Sequence, residues 1–248
     1  MGVDYDHAAN VHSIEGARAA LVKLFSDGLP ASILDLGCGT GTWLRAALDL
    51  GVSDIVGVDG VRIPRDELLF QRDKFFCLNL NGAIELHRRF DVAICLEVAE
   101  HLEPKYGEML IHTLAKHSDR ILFSAACPGQ SGQHHVNCQW PVYWQSIFND
   151  LGFLCSDAVR WQIWEDEKIE PWYRQNMFWA TKAPEQAGKE VRIRGVIHPV
   201  MHRRILQASA TIGCPDTILK IERGCMPIAW YAAVPLRALW SKVGRKLR

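Results

Sequence analysis

The sequence lacks several features that would assign it to a specialised class of protein. Its 28 basic and 28 acidic side chains give no net charge, so no overall field favours nucleic acid or an acidic partner. No apolar run reaches the roughly 20 residues that cross a bilayer, and residues 1–20 do not resemble a signal peptide. The eight cysteines include no C-x-x-C pair, which indicates a reducing compartment without a disulfide framework. We therefore expect a cytoplasmic globular protein.

A glycine-rich stretch follows the first clear strand pattern of the chain. Residues 32–36 read Ser-Ile-Leu-Asp-Leu and are strand-like, residues 37–41 read Gly-Cys-Gly-Thr-Gly, and a helical pattern runs over 42–50. Glycine is needed where the backbone takes positive φ or lies close against a ligand. Open α/β sheets bind ligands where a strand ends in such a turn. The stretch therefore predicts a site for a nucleotide-like molecule.

Strand and helix patterns alternate through residue 126 and become irregular later. The predicted strands are 32–36, 54–59, 74–80, 90–96 and 119–126, and the predicted helices are 13–26, 42–50, 64–72, 104–117 and 140–151. This alternation predicts a Rossmann-like three-layer α/β sandwich with a mostly parallel seven-stranded sheet. Extended patterns over 153–164 and 175–182, joined by an irregular link, predict an antiparallel hairpin at the edge of the sheet.

An acidic residue ends the second predicted strand. Asp59 lies roughly 20 residues after the glycine turn, where an acid accepts hydrogen bonds from ribose hydroxyls. A nicotinamide dinucleotide is the alternative ligand, but its sites prefer G-x-G-x-x-G with the third glycine inside the helix. Here the spacing is G-x-G-x-G, followed by Trp43 and Leu44. A pyrophosphate gains little from that geometry.

Three motifs at these intervals resemble the class I S-adenosylmethionine-dependent methyltransferases. They are the stretch from Asp35 to Gly41, the acid Asp59, and residues 90–102, which contain a Glu-x-x-Glu-His element. The resemblance covers about residues 30–182. Residues 123–144 resemble a subset of bacterial members, of the type 11 and 12 groups, whose substrates are mostly unassigned. The resemblance implies methyl transfer from S-adenosylmethionine.

The resemblance also implies which residues bind the cofactor. The glycine turn would pass under the amino-acid tail and ribose, with Asp35 near the tail's ammonium group and Asp59 on the ribose hydroxyls. Asn79, or the amide of Leu80, would meet the adenine edge, although many relatives carry Asp near this point. The predicted cofactor residues are Asp35, Gly37, Cys38, Gly39, Gly41, Asp59, Gly60, Asn79, Leu80, Leu96 and Glu97.

Three histidines are candidates for the catalytic base. His134 and His135 lie in a glycine-rich loop after the fifth predicted strand, and His101 ends the Glu-x-x-Glu-His element. Imidazole titrates near neutrality and suits a base that deprotonates an acceptor hydroxyl. The alternative for the loop histidines is that they only order the loop through backbone hydrogen bonds.

The same element allows a metal-binding alternative. Glu97, Glu100 and His101 share one face if the segment is helical. Some enzymes with this motif bind a divalent metal there, with a further histidine that His134 or His135 could supply. Otherwise Glu97 contacts the cofactor, Glu100 pairs locally and His101 packs under the loop. We assign no metal to the site.

Aromatic residues suggest the kind of acceptor. We expect Trp144 and Trp161 in the core, and Trp172 and Tyr173 in the wall of a pocket where a sugar or aromatic ring would stack. The expected reaction is methyl transfer to oxygen of a small-molecule or glycan acceptor, without a nucleic-acid partner. The alternatives are an RNA or N-methyltransferase, with or without metal assistance, and an inactive cofactor-binding subunit.

The composition changes near residue 183. We predict a cofactor-binding methyltransferase domain over residues 1–183 and a basic, apolar C-terminal extension over residues 184–248. Residues 227–248 are apolar, contain Trp230 and Trp240, and end in basic residues. Such a tail could dock on the catalytic domain or a partner subunit, contact an anionic membrane surface peripherally, or bind nucleic acid. The oligomeric state stays open.

Overall fold

A seven-stranded sheet forms the centre of the computed structural model, which describes residues 12–212. Its strands are β1 (Ser32–Leu36), β2 (Asp54–Asp59), β3 (Phe75–Cys77), β4 (Val92–Leu96), β5 (Arg120–Ser124), β6 (Phe153–Ser156) and β7 (Phe178–Lys182). Their order is β3-β2-β1-β4-β5-β7-β6. Strands β1 to β5 pair in parallel, whereas β7 is antiparallel to both β5 and β6. The predicted mostly parallel, Rossmann-like α/β fold is confirmed.

Helices connect the strands and cover both faces of the sheet. Those in the described residues are α1 (Ile14–Leu24), α2 (Thr42–Leu50), α3 (Pro104–His117), α4 (Pro141–Asp150), α5 (Ala158–Ile163), α6 (Pro171–Asn176) and α7 (Pro199–Ile212). The Ser13 hydroxyl caps α1 by accepting a hydrogen bond from the Gly16 amide. Helices α3, α4 and α6 begin at proline, whose fixed φ suits the first helical position.

Both faces of the sheet are buried. Ile33 packs into a cluster with α1, α2 and α5, whereas its neighbour Leu34 packs into a second cluster with α3 and α4. All five residues of β1 are buried, which is consistent with its three apolar residues, Ile33, Leu34 and Leu36, pointing to both faces of the sheet. Trp144 of α4 is fully buried, as expected.

The late strands β6 and β7 pair antiparallel at the edge of the sheet, as predicted, but the link between them is not irregular. β7 lies between β5 and β6, and the segment that joins β6 to β7 contains α5 and α6. The extended structure predicted for 153–164 is therefore wrong after residue 156. Val159 and Ile163, one helical turn apart, are both buried, whereas Trp161 is 53% exposed and does not lie in the core. The apolar spacing was helical, not alternating.

Residues 64–72 also differ from the prediction. They form turns instead of a helix, and β3 is limited to three residues. The segment is held by long-range contacts, because the Leu69 amide donates to the Thr40 carbonyl at 3.0 Å and the Phe70 ring packs on Phe75. Contact with the glycine turn thus determines this conformation.

The compact unit extends beyond the predicted domain boundary at residue 183. Contacts divide the chain into two units, Met1–Met201 and His202–Arg248, and the described part of the second is helical to Ile212. We call residues 190–198 the strap. Its Glu190 carboxylate accepts hydrogen bonds from Gln145 (3.0 Å), Asn149 (2.6 Å) and the Cys155 amide (3.1 Å). The strap is thereby fixed on α4 and β6.

The predicted C-terminal tail, residues 227–248, lies outside the described residues, so its three possible roles stay predictions. Within residues 12–212, none of the helices is both long and apolar enough to cross a membrane.

Candidate active site

A cavity of about 300 Å³ lies at the carboxyl ends of β1, β2 and β4. The direction of the strand order reverses between β1 and β4, which is where open α/β sheets bind ligands. All of the predicted cofactor residues except Gly41 line it. The lining comprises His12, Ile14, Asp35, Gly37, Cys38, Gly39, Thr40, Thr42, Trp43, Asp59, Gly60, Val61, Leu69, Asn79, Leu80, Asn81, Leu96, Glu97, Val98, His101, Leu102 and Tyr173.

Glycine is required in the turn both by backbone conformation and by closely packed neighbouring side chains. Gly37 and Gly41 have φ of 87° and 91°, which L side chains rarely adopt. A Cβ at Gly37 would overlap Val98, and one at Gly41 would overlap the Phe70 ring. Gly41 is the N-cap of α2. Its role is to turn the chain into the helix, which explains why it does not line the cavity.

Asp59 joins the glycine turn to the loop after β2. One of its carboxylate oxygens accepts a hydrogen bond from the Gly39 amide, and the other accepts one from the Val61 amide, both at 2.8 Å. The side chain is buried at the rim of the cavity. Because a carboxylate oxygen accepts more than one hydrogen bond, Asp59 can also accept hydrogen bonds from the hydroxyl groups of a ligand.

Two further polar residues, Asp35 and Asn79, line the cavity. Asp35 lies at the end of β1, where burial and the nearby Asp59 charge raise its pKa to about 8. Asn79 follows β3, and its side-chain oxygen accepts a hydrogen bond from the Asn81 amide at 3.0 Å. That bond fixes the turn beside Leu80, where the resemblance implied an adenine contact.

Glu97 is held in a strained conformation directly after β4. Its φ is 56°, a left-handed value that costs a non-glycine residue on the order of 1 kcal/mol. Its carboxylate accepts hydrogen bonds from the side-chain amides of Gln130 (2.7 Å) and Asn176 (3.2 Å). Burial raises the pKa of Glu97 to about 7, although the Asn176 and Gln130 bonds oppose that rise.

Sequence reasoning gave no role to these two amides. Gln130 lies in the loop after β5, and Asn176 ends α6. Asn176 is 79 positions from Glu97, so no local spacing could link them. The strand order, which places β7 beside β5, brings them together.

The three predicted histidines occupy different positions. His101 lines the cavity, and its ring centroid is 4.9 Å from that of His135, which lies outside the lining. A ring nitrogen of His135 is 3.0 Å from the Gln130 carbonyl oxygen. His134 is exposed, has a φ of 50° and does not line the cavity. Burial and the His135 charge lower the pKa of His101 to about 4, so its imidazole is neutral at pH 7.

A buried carboxylate lies beside the two histidine rings. The Glu100 side chain is fully buried, and its carboxyl group interacts with the Glu97 carboxyl group and with the backbone amides of Glu100 and Ala126. Its backbone carbonyl accepts the Val136 and Asn137 amides, which ties the histidine loop to this position. Ligand atoms of Glu100, His101 and His135 all lie within 4.8 Å of one another. Burial and the Glu97 charge raise the pKa of Glu100.

Aromatic rings form another part of the cavity wall. Tyr173 of α6 lines the cavity, and its ring meets that of Trp43 edge to face at 5.1 Å. The Tyr173 hydroxyl is 3.1 Å from a ring nitrogen of His12. Trp172, the other predicted wall residue, does not line the cavity and packs beside His12 and Tyr173 instead.

Comparison with known proteins assigns the family. The profile of a family described as "Methyltransferase domain" matches residues 9–162, which is more than half of the chain. The chain therefore belongs to this methyltransferase family. The predicted class, a class I S-adenosylmethionine-dependent methyltransferase, is confirmed.

Individual relatives are distant. Ribosomal protein L11 methyltransferase of Laribacter hongkongensis (strain HLHK9) is 33% identical over 107 residues, which are 40% of this chain and 34% of that protein. The chain thus matches about a third of that relative's length. Magnesium protoporphyrin IX methyltransferase from Synechocystis PCC 6803, solved with bound S-adenosylhomocysteine, gives a TM-score of 0.51 at 19% identity, covering 68% of this chain and 82% of that one. This likeness shows the fold. A plantazolicin methyltransferase complex gives a TM-score of 0.49 at 15% identity, covering 68% and 84%.

Proposed function

We propose that this methyltransferase transfers the methyl group of S-adenosylmethionine to a hydroxyl oxygen of a small-molecule or glycan acceptor. The charge of the cavity carries the cofactor assignment. Asp35, Asp59 and Glu97 line it, and none of its described lining residues is Lys or Arg. Such a lining disfavours a pyrophosphate, and a bound cation would favour the ionised form of the Asp35 and Glu97 carboxyl groups, whose pKa values are raised in its absence. S-adenosylmethionine has a sulfonium, an ammonium group and ribose hydroxyls, so the residues present fit it.

Each of these residues has a distinct role in binding. Asp59 accepts the ribose hydroxyls while the Gly39 and Val61 amides hold its carboxylate in place. Asp35 and Glu97 meet the amino-acid tail, and the loop around Leu80 covers the adenine. The bound cofactor supplies an activated methyl group. The chain then has to orient the acceptor in line with it and remove a proton.

His101 is the proton acceptor in this proposal. Of the three predicted histidines, it alone lines the cavity. The His135 ring packs against it at 4.9 Å and limits its orientation. His134 is exposed and has no part in this mechanism. An acceptor hydroxyl must lose its proton, so a base beside the cavity favours an oxygen acceptor. The aromatic wall at Trp43 and Tyr173 suits a sugar or an aromatic ring.

Calorimetry with S-adenosylmethionine and S-adenosylhomocysteine tests the cofactor site. We expect binding of both, and absence of both would contradict the proposal. Incubation with methyl-labelled cofactor and separate pools of glycans, small hydroxylated molecules and RNA then tests the acceptor. Label in the RNA pool alone would refute the small-molecule or glycan acceptor. Binding without transfer to any pool would favour an inactive subunit.

A metal-assisted transfer is the second candidate. The cluster of Glu100, His101 and His135 favours it, because a buried carboxyl group beside two imidazoles provides ligand types that suit a divalent cation. A metal bound there would supply Lewis-acid stabilisation of an acceptor oxygen. Calorimetry with MnCl₂ should detect binding that His135→Ala abolishes, with His134→Ala as the matched control. No binding to the wild type would refute this candidate.

A cytoplasmic location remains part of the proposal. The described cysteines are unpaired, and Cys38, Cys95, Cys127 and Cys155 are buried, as in a reducing compartment. Cell fractionation tests this location. A membrane-bound fraction that disappears when residues 227–248 are deleted would instead support peripheral contact through the tail.

A further inference from the structure

We infer that the strap is a positioning element of the cofactor site, because a relay of side-chain amides connects its backbone to the Glu97 carboxylate. The relay consists of Gln175, Asn176 and Gln130. It rests on the proposed role of Glu97 in binding the cofactor. None of these three residues lines the cavity, so they act through Glu97.

The relay has a fixed direction, which the strap determines. The His198 amide, at the end of the strap, donates to the side-chain oxygen of Gln175 at 2.8 Å. A backbone amide can only donate, so the Gln175 oxygen must face it and the Gln175 nitrogen must face the other way. That nitrogen donates to the side-chain oxygens of Asn176 (3.1 Å) and Gln130 (3.4 Å). It also lies 3.1 Å from the Cys127 sulfur.

The next two amides transmit this direction to Glu97. Because the oxygens of Asn176 and Gln130 receive hydrogen bonds from Gln175, their nitrogens are oriented toward the Glu97 carboxylate. Asn176 also donates to the Gln130 oxygen at 2.9 Å, which locks the pair together. Gln175 and Asn176 are each 2% exposed, so water cannot replace these bonds readily. The amides of Asn176 and Gln130 thus both donate to one acceptor, the Glu97 carboxylate that lines the cavity.

Loss of Gln175 would remove the source of this direction. Asn176 could then rotate its amide and present an oxygen to the Glu97 carboxylate, which is repulsive. Glu97 has a left-handed φ, so its conformation needs these neighbours to hold it. The expected result is a displaced carboxylate and weaker binding of the cofactor's cationic tail.

Gln145 of α4 provides a matched control. It is also 2% exposed, and its side-chain oxygen also accepts a backbone amide of the strap, that of Ile193 at 2.8 Å. Its nitrogen donates to Glu190 and the Val191 carbonyl, within the strap itself. It therefore anchors the strap as Gln175 does, but its hydrogen bonds do not lead to Glu97.

The test compares Gln175→Met with Gln145→Met, because methionine keeps the unbranched shape of glutamine. Affinity for S-adenosylhomocysteine is measured by calorimetry, and the unfolding midpoint by thermal denaturation. We expect both variants to lower the midpoint. Gln175→Met should weaken binding about tenfold, and Gln145→Met by less than about twofold. In a Glu97→Gln background, Gln175→Met should weaken the affinity by less than about twofold. The reason is that Gln175 acts through the Glu97 carboxylate, which this background lacks.

Three outcomes would overturn the relay. They are equal weakening by the two methionine variants, no weakening by Gln175→Met, and an undiminished effect in the Glu97→Gln background. If Gln175→Met does not fold, Asn176→Asp, which keeps the shape but loses the donor, takes its place in the same comparison. A wild-type protein that does not bind S-adenosylhomocysteine would overturn the cofactor site itself, and with it the relay.

Discussion

Two carboxylates line the same cavity and are held in opposite ways. Asp59 accepts hydrogen bonds from two backbone amides, which lie 2 and 20 positions away along the chain. Glu97 accepts hydrogen bonds from two side-chain amides, which lie 33 and 79 positions away. Backbone donors are present whatever the side chains are, whereas side-chain donors depend on particular residues. One wall of the site is therefore built into a local motif, and the other depends on the late part of the chain.

Asp59→Ala should have the largest effect on cofactor binding. It removes the acceptor for the ribose hydroxyls and leaves the Gly39 and Val61 amides without their partner. Two charge-assisted bonds of this kind are together worth about 3–6 kcal/mol, so we expect at least about a hundredfold loss of affinity for S-adenosylhomocysteine.

Calorimetry measures this loss, and circular dichroism checks that the fold is retained. Asp59→Asn, which keeps the shape and one oxygen acceptor, should lose less affinity than Asp59→Ala. Unchanged affinity in Asp59→Ala would refute the proposed position of the ribose. The comparison between Asp59 and Glu97 as two parts of the cofactor site would then no longer apply.

The part of the fold around Asp59 could be predicted because its signals are local. Helix α2 has the predicted bounds, and so do β1 and β2. The glycine turn allows only a narrow range of backbone paths, and a fully buried strand precedes it. The motif did not distinguish a glycine that lines the cavity from one that turns the chain, because both need positive φ; Gly41 is of the second kind.

The part around Glu97 could not be predicted in the same way. Asn176 ends α6, most of which was expected to be an irregular link, and the Gln175 contact with His198 crosses the predicted domain boundary. A single sequence shows the residue types but not which distant segments meet. The apolar spacing of Val159 and Ile163 was the one local signal that could have revealed α5.

His101→Ala should affect transfer and leave cofactor affinity nearly unchanged. It lines the cavity on the Glu97 side, and loss of a general base costs about a hundredfold or more in rate. We expect that reduction in single-turnover transfer to the acceptor found in the labelled pools. The matched variant His134→Ala should keep the rate within about twofold, because His134 is exposed.

The opposite result, a full rate in His101→Ala with a large loss in His134→Ala, would reassign the base to the loop. It would also show that the Glu97 side of the cavity does not provide the base.

Glu190→Gln should have the smallest effect, on stability instead of affinity. The Glu190 carboxylate fastens the strap by accepting three hydrogen bonds, all at one oxygen. Glutamine keeps an oxygen there but loses the charge, so we expect the free energy of unfolding to fall by about 1 kcal/mol at pH 7. Affinity for S-adenosylhomocysteine should change by less than about twofold, because Glu190 lies at the end of the strap that Gln145 contacts and not at the His198 end.

The difference in the free energy of unfolding between the wild type and Glu190→Gln should depend on pH in a defined direction. Burial raises the pKa of Glu190, but the bonds from Gln145 and Asn149 outweigh burial and leave the pKa below its ordinary value. A carboxyl group with a depressed folded pKa stabilises the protein above its unfolded pKa, and this contribution is lost as the pH falls through the folded pKa. Denaturant unfolding should therefore show the wild type losing its advantage over Glu190→Gln below about pH 4.5. If the free energies of unfolding of the two proteins instead differ equally at pH 7 and pH 3.5, the ionised Glu190 carboxylate is not what holds the strap in place. The strap beside Glu97 would then be held by Gln175 and by its own buried residues.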